Sequence, residues 1–219
     1  YYNKENVCLF SARNFGISYA SGIYILPLDS DDKIECTYLQ KAIKAFKEDN
    51  ELKLVYCRVS YFGAKEIEWV LDPYSFNELL INNMIFCSAV FKKEDFIKIK
   101  GYSENLKFGL EDWDLWIRLL NPNGKVFKIP EILFFYRKHY GTSMSDKFNN
   151  LENHNYTMNI IFDNNREIYN GYFENPIKTA WKCVRYQKKI AKIEKSKFYN
   201  FELKVKEILR MVKSKLNKY

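Results

Sequence analysis

Apolar and polar positions change rhythm several times along the chain, and each change predicts an element. Ser11 to Ser21 keeps small residues on one side and reads as a helix. Ile23-Tyr24-Ile25-Leu26-Pro27-Leu28 is nearly all apolar, the pattern of a strand buried on both faces, and stops abruptly at Asp29-Ser30-Asp31-Asp32. Leu39, Ala42, Ile43 and Phe46 recur at helical spacing, which predicts a helix over 37–47. Leu52 to Phe62 is strand-like and rich in Val, Tyr and Phe, and Met84 to Phe91 is a second short apolar stretch. Lys93 to Ile99 and Asp112 to Leu120 read as helices, and Val126 to Ile129 and Ile132 to Tyr136 as short strands around Pro130. Strands alternating with helices predict an α/β sheet with a parallel portion. The body is expected to close near Ser145, giving units 1–145 and 146–219, the second helical.

Composition narrows the class. With 219 residues, 47% hydrophobic and 17% aromatic, the chain can bury one real core, and its 28% charged content argues against wholesale disorder. The longest apolar run, Met84 to Phe91, falls far short of the roughly 20 residues that span a bilayer. Five cysteines without a close pair exclude a zinc knuckle or CxxC redox motif and point to a reducing compartment. No secretory leader is recognisable in the polar, tyrosine-rich first residues.

The net charge of +8 is unevenly placed. From Lys178 to Tyr219 there are 14 Lys/Arg against three Glu, so the tail is strongly basic and the body mildly acidic. Phe201, Val205, Ile208 and Val212 share one helical face, with Lys204, Lys206, Arg210, Lys213 and Lys215 mostly elsewhere. A basic amphipathic helix over 178–219 suits an anionic membrane surface, where each lysine contributes about 1 kcal/mol. Packing of its apolar side on the body is the plainer alternative. Nucleic-acid binding is not expected, because no recognisable motif interleaves the aromatics.

The acidic turn draws attention because ligands of open α/β sheets bind at the carboxyl ends of strands. Three carboxylates within four residues repel one another, and a hard divalent cation such as Mg²⁺ or Mn²⁺ relieves that repulsion. An Asp-rich turn capping the next helix fits equally well at this level. A phosphatase with Asp29 as nucleophile fits less well, because Asp32 stands where such enzymes carry Thr or Val.

Taken with its surroundings the turn resembles a known family. Ala12-Arg13-Asn14-Phe15-Gly16-Ile17, Ala20-Ser21-Gly22-Ile23-Tyr24-Ile25 and Leu28-Asp29-Ser30-Asp31-Asp32 resemble the central stretch of family 2 glycosyltransferases. Asn83 to Phe91 with Gly101-Tyr102-Ser103-Glu104, then Gly109-Leu110-Glu111-Asp112-Trp113, resemble the segment ahead of the family's active-site helix and its ED motif. Tyr136-Arg137-Lys138-His139 leading to Ser143-Met144-Ser145 resembles the motif that closes the catalytic domain. Four motifs in order over about two-thirds of the chain are far more specific than any one. The resemblance implies a GT-A (Rossmann-like) mixed sheet flanked by helices. It also implies an inverting hexosyl- or N-acetylhexosaminyl-transfer from a nucleotide-sugar, a UDP-sugar by preference, to a hydroxyl of a glycan or lipid-linked acceptor. Bacterial surface polysaccharide or lipooligosaccharide assembly at the inner face of the cytoplasmic membrane is the implied setting. Few residues precede Arg13, so the family's first nucleotide-holding strand-helix-strand unit is expected to be missing and the chain to be a fragment. A non-catalytic remnant that binds acceptor or partner is the alternative.

The resemblance also implies roles. Asp31 would ligate Mn²⁺ or Mg²⁺ on the diphosphate, and Asp29 would meet the donor ribose or a metal-bound water. Arg13, Arg137 and His139 would sit at the donor. Asp112 is expected to act as general base, with Glu111 holding acceptor hydroxyls or raising its neighbour's pKa. Each has a plainer reading: Glu111 and Asp112 complement the dipole of the helix they open, Arg13 forms a surface ion pair, and His139 is structural. Asp32 reads as a helix cap and Asn14 as a donor or a structural hydrogen-bonder. Asp114 is expected to face elsewhere, and Trp113 and Trp116 to be core before they are sugar platforms.

Overall fold

A computed structural model describes residues 8–140, 150–173, 175–196 and 201. Its first unit, 1–169, is built on a mixed sheet. Helix α1 (Leu9–Tyr19) leads to β1 (Tyr24–Ile25), the acidic turn, β2 (Lys33–Ile34) and α2 (Tyr38–Glu48). Strand β3 (Leu52–Gly63) and β4 (Glu68–Trp69) follow, then α3 (Phe76–Leu79), β5 (Val90–Lys92), α4 (Lys93–Lys98), α5 (Glu111–Leu119) and β6 (Lys125–Lys138). The strands order as β1-β5-β3-β6-β2 with β4 beside β3; β3 and β6 run parallel and the other pairings are antiparallel.

Strand β3 occupies the middle because it alternates little: Leu54, Val55, Tyr56, Cys57 and Val59 are wholly buried. Together with Tyr38, Phe91, Trp116 and Phe134 they form the core, each large side chain contributing about 1.5–3 kcal/mol. The two expected strands around Pro130 are one strand. Its register jumps from Cys57↔Ile129 to Arg58↔Ile132, so Pro130 and Glu131 bulge out of the ladder that proline cannot join.

One expected strand is shorter than its apolar run. Ile23 to Leu28 contributes only Tyr24–Ile25 to the sheet, and it is not buried on both faces: Ile23 is 73% exposed and Leu28 44%. Among the described residues β1 has β5 on one side and no strand on the other, and Pro27 cannot extend the pairing. Met84 to Ala89 is buried but irregular. Its backbone carbonyls are met by side chains instead of a ladder, Ser88 by the Tyr38 hydroxyl at 3.0 Å and Ile85 by the Trp116 indole at 3.1 Å. Apolar patterning reports burial, and burial here did not require a strand.

Asn150 caps α6 (Leu151–Asn164) by accepting from the Glu152 amide. This helix lies past the expected boundary at Ser145, yet Asn164 and Asn165 bond Asp114 of α5 within the first unit. Ser145 itself is outside the described residues. Short α7 (Arg166–Tyr172) follows. The second unit, 170–219, contains α8 (Pro176–Glu194), capped by Asn175 and with none of its residues buried. Val205, Ile208 and Val212 of the expected basic face lie outside the described residues. Among those described, no helix is long and apolar enough to cross a membrane.

Candidate active site

A cleft of about 1150 Å³ opens along the ends of the central strands, and every residue expected at a site lines it: Arg13, Asp29, Asp31, Glu111, Asp112, Arg137 and His139. Its other half is apolar, with Leu9, Ile17, Leu26 and Pro27. The acidic turn and the Glu111–Asp112 pair could have been on opposite sides of the molecule. They are joined instead by one guanidinium: Arg13 donates to Asp29 Oδ1 at 2.7 Å and to Glu111 Oε1 at 2.6 Å. Its side chain is only 9% exposed, so the surface-pair reading of Arg13 fails. Burial works against its charge, but Tyr102, Cys87, Asp29 and Glu111 outweigh that and hold its pKa above the ordinary value. Asn14, one residue on, clamps the backbone of Tyr102 by donating to its carbonyl and accepting from its amide, both at 2.9 Å. Its role is structural.

Helix α5 is delivered to the cleft by a left-handed turn. Gly109 at φ 104° adopts a backbone that side chains disfavour, and Leu110 follows at φ 63°, a strain of about 1–3 kcal/mol held by the surrounding structure. The turn brings both Glu111 and Asp112, in the first turn of the helix, to the cleft. Asp112 Oδ1 accepts from the Trp113 amide at 2.8 Å and from Asn83 Nδ2 at 3.2 Å, while Oδ2 has no partner among the described residues. Burial, with Glu111 adding like charge, pushes its carboxyl up to about 7. Trp113 and Trp116 are core: their indoles donate to the carbonyls of Leu79 and Ile85.

The acidic turn divides its labour. Asp31 Oδ2 lies 2.8 Å from His139 Nε2, and that hydrogen bond holds the Asp31 carboxyl below the usual range. Arg137 donates its Nε to the Asp31 carbonyl at 2.8 Å, and its Cζ rests 4.4 Å from the Phe62 ring centre. Asp32 is not a helix cap. Thr37 holds that position for α2, and Asp32 Oδ1 instead accepts from the Arg137 amide at 2.8 Å, fastening the turn to β6. Its Oδ2 is buried without a partner among the described residues, and burial pushes the carboxyl up to about 6.

Hard-cation donors are thus gathered at one end of the cleft. Ligand atoms of Asp29, Asp32 and Cys87 lie within 4.8 Å of one another, and Asp31 stands outside that group against His139. Burial pushes the Cys87 thiol far up, so it stays protonated and unsuited to Mg²⁺ or Mn²⁺. The carboxylates and imidazole fit such a cation, and the orphaned Asp32 oxygen marks a place still short of positive charge. Sequence reasoning missed Asn83, Cys87 and the anchoring role of Asp32. The first two fall in the segment Asn83 to Phe91 that carries part of the resemblance, but residue type alone gives neither a role.

Residues 1–107 match the family model "Glycosyl transferase family 2", and residues 78–142 match "N-terminal domain of galactosyltransferase". The minor teichoic acid biosynthesis protein GgaB of Bacillus subtilis is 29% identical over 145 residues, covering 63% of this chain and 16% of that protein. The O-antigen biosynthesis glycosyltransferase WbnJ of Escherichia coli is 29% identical over 147 residues, covering 63% of this chain and 56% of WbnJ. An uncharacterized glycosyltransferase of Methanocaldococcus jannaschii is 27% identical, covering 62% of this chain and 49% of its own length. The chain thus spans at most about half the length of most relatives it matches. Among solved structures, S. aureus TarS 1-349 in complex with UDP-GlcNAc superposes with a TM-score of 0.51 at 15% identity, covering 72% of this chain and 53% of that one. S. aureus TarS gives 0.55 at 15% identity, covering 75% and 28%. These likenesses establish the mixed, helix-flanked fold.

Proposed function

Because the chain belongs to the family 2 glycosyltransferases of GT-A fold, we propose that it transfers a sugar from a nucleoside-diphosphate donor to an acceptor hydroxyl with inversion. The observation that carries this reading is the Arg13 bridge, which brings the acidic turn and Asp112 to one cleft. The acidic turn would hold Mn²⁺ or Mg²⁺, through Asp31 beside His139 or through Asp29 and Asp32, whose ligand atoms lie together. That cation, when bound, neutralises charge on the departing diphosphate. Arg137 adds a fixed positive charge on the same side. Across the cleft Asp112 takes the acceptor proton: Oδ2 has no partner among the described residues, Oδ1 is held by Asn83 and Trp113, and a pKa near working pH suits a general base. Glu111 is committed to Arg13, so it orients the bridge and leaves proton transfer to Asp112. Asp29 and Glu111 are engaged by Arg13 and Asp31 by His139, which supports a single displacement over a double one.

A UDP-sugar donor is supported by the TarS complex with UDP-GlcNAc, and a glycan or lipid-linked acceptor in surface polysaccharide assembly by the names of GgaB and WbnJ. Attachment to an anionic membrane face would use the second unit, where α8 exposes Ile177, Trp181 and Val184 beside Lys178, Arg185 and Lys192. A screen of nucleotide-sugars for Mn²⁺-dependent donor hydrolysis tests the central reading. Hydrolysis of one donor, needing more Mn²⁺ in Asp31→Asn, is expected; no turnover or binding of any donor would sink it. For the membrane, binding to phosphatidylglycerol vesicles should fall when the chain ends at Ile177.

A further inference from the structure

One part of the cleft has no task in the donor chemistry. On the face of β3 and β6 that carries Val59 and Phe134 into the core, the next pair toward the cleft is Tyr61 opposite Tyr136. The hairpin to β4 brings Trp69 beside them, by pairing with Val59. Tyr61 and Trp69 lie nearly parallel, 12° apart with ring centres at 5.4 Å, and Tyr136 meets both edge-on at 6.0 and 6.2 Å. Val59 and Phe134 are fully buried, whereas these three rings stay partly exposed and line the same cleft as Asp31 and Asp112. Lys138 stands over Tyr61 at 4.9 Å and over Tyr136 at 5.0 Å, with no carboxylate partner among the described residues. A core packs such rings away; a wall that keeps them at a polar cleft has an amphipathic ligand to receive.

We propose that Trp69, Tyr61 and Tyr136, with Lys138, form the acceptor subsite, on which a pyranose lays its apolar face. This deepens the transferase reading above by naming the acceptor as a sugar ring. Pyranoses present a patch of C–H bonds on one side and a rim of hydroxyls around it. The rings supply apolar surface for the first, and the tyrosine hydroxyls and the Lys138 ammonium supply partners for the second. The ammonium also suits a phosphate attached to that sugar. A planar base would need an open parallel slot, and Tyr136, standing edge-on at 67–71°, interrupts it.

Saturation-transfer NMR on the full chain tests this without turnover, using methyl hexosides, methyl N-acetylhexosaminides, hexose 1-phosphates and uridine as probes. Ring protons of at least one glycoside should saturate. Trp69→Leu and Tyr61→Leu should each cut that signal at least fivefold and Trp69→Phe should keep it. Tyr186→Leu, an exposed ring of the second unit, should leave it unchanged, and Lys138→Ala should weaken hexose phosphates more than hexosides. No glycoside signal from the folded chain, a signal that survives both leucine variants, or uridine binding that depends on Trp69 would each overturn the assignment. Calorimetric UDP binding with Mn²⁺ separates the two readings. Its absence in the unmodified chain counts against the donor site alone, and its retention in folded Trp69→Leu shows that the loss is confined to the acceptor wall.

Discussion

Asp112 and Asp114 sit two residues apart on α5, and their surroundings could hardly differ more. Asp114 is fully buried and receives donors from Ser103, Arg118, Asn164 and Asn165, with Arg118 contributing both Nε and a terminal nitrogen. Arg118 also caps the carbonyls of Ile99 and Gly101. That carboxylate fastens three segments and has nothing left to offer a substrate. Asp112 has two contacts, both on one oxygen, and turns the other to the cleft. An acid whose hydrogen bonds are filled is structure; one kept short of partners beside a like charge is poised for chemistry.

The sharpest way to break this contrast is the same isosteric change at both positions. Asp112→Asn should lower transfer by about 10³-fold while leaving thermal stability intact, as read by a transfer assay beside a melting curve. Near-normal transfer by that variant would remove Asp112 as base. Asp114→Asn should do the reverse, costing about 3 kcal/mol in denaturant unfolding because Arg118 keeps a largely buried charge without its counterion. A stable variant with lost transfer would merge the two acids into one class. A smaller effect is expected at the proposed cation site, where Asp31→Asn should raise the Mn²⁺ needed for half-maximal transfer at least about tenfold, and a chelator should stop transfer by the unmodified chain.

Protonation sharpens the contrast further. The base role proposed for Asp112 needs the ionised carboxylate, so transfer should climb with pH through about 7. Asn83→Ala removes a donor that favours the ionised form and should move that limb to higher pH with little change in the rate above it; an unmoved limb would show that Asn83 only fills space. The stability linkage has the opposite sign. With a folded pKa above the ordinary 3.8, Asp112 favours the fold at low pH, and that contribution is lost as pH rises through about 7; Asp112→Asn should flatten this slope. The smallest effect is a control at the surface, where Lys41→Met should change stability by less than about 1 kcal/mol, its pair with Glu131 being well solvated.

How much could be read in advance varied with the kind of signal. Helices α2 and α5 and strand β3 were legible to within a residue or two because of helical periodicity in the first two and the Val, Tyr and Phe content of the third. The run at Ile23–Leu28 reads as a full strand but pairs over two residues only, and the stretch Met84–Phe91 is ladder only at its end, since apolar content reports burial and leaves open whether a ladder or side-chain donors satisfy the backbone. Asp32 looked like a cap because Asp favours caps; the actual helix starts six residues later, and the spare carboxylate ties the turn to β6.

The sequence by itself determined the motifs, their order and the acids and bases among them, because those are properties of residue type and spacing. Only the tertiary structure decided what each carboxylate became. Arg13 reaching both Asp29 and Glu111, His139 meeting Asp31 across 108 positions, and three rings from separate strands sharing one wall are contacts between distant segments. Local chemistry carries no record of such contacts, since they come into being when the sheet closes and water leaves the groups it brings together.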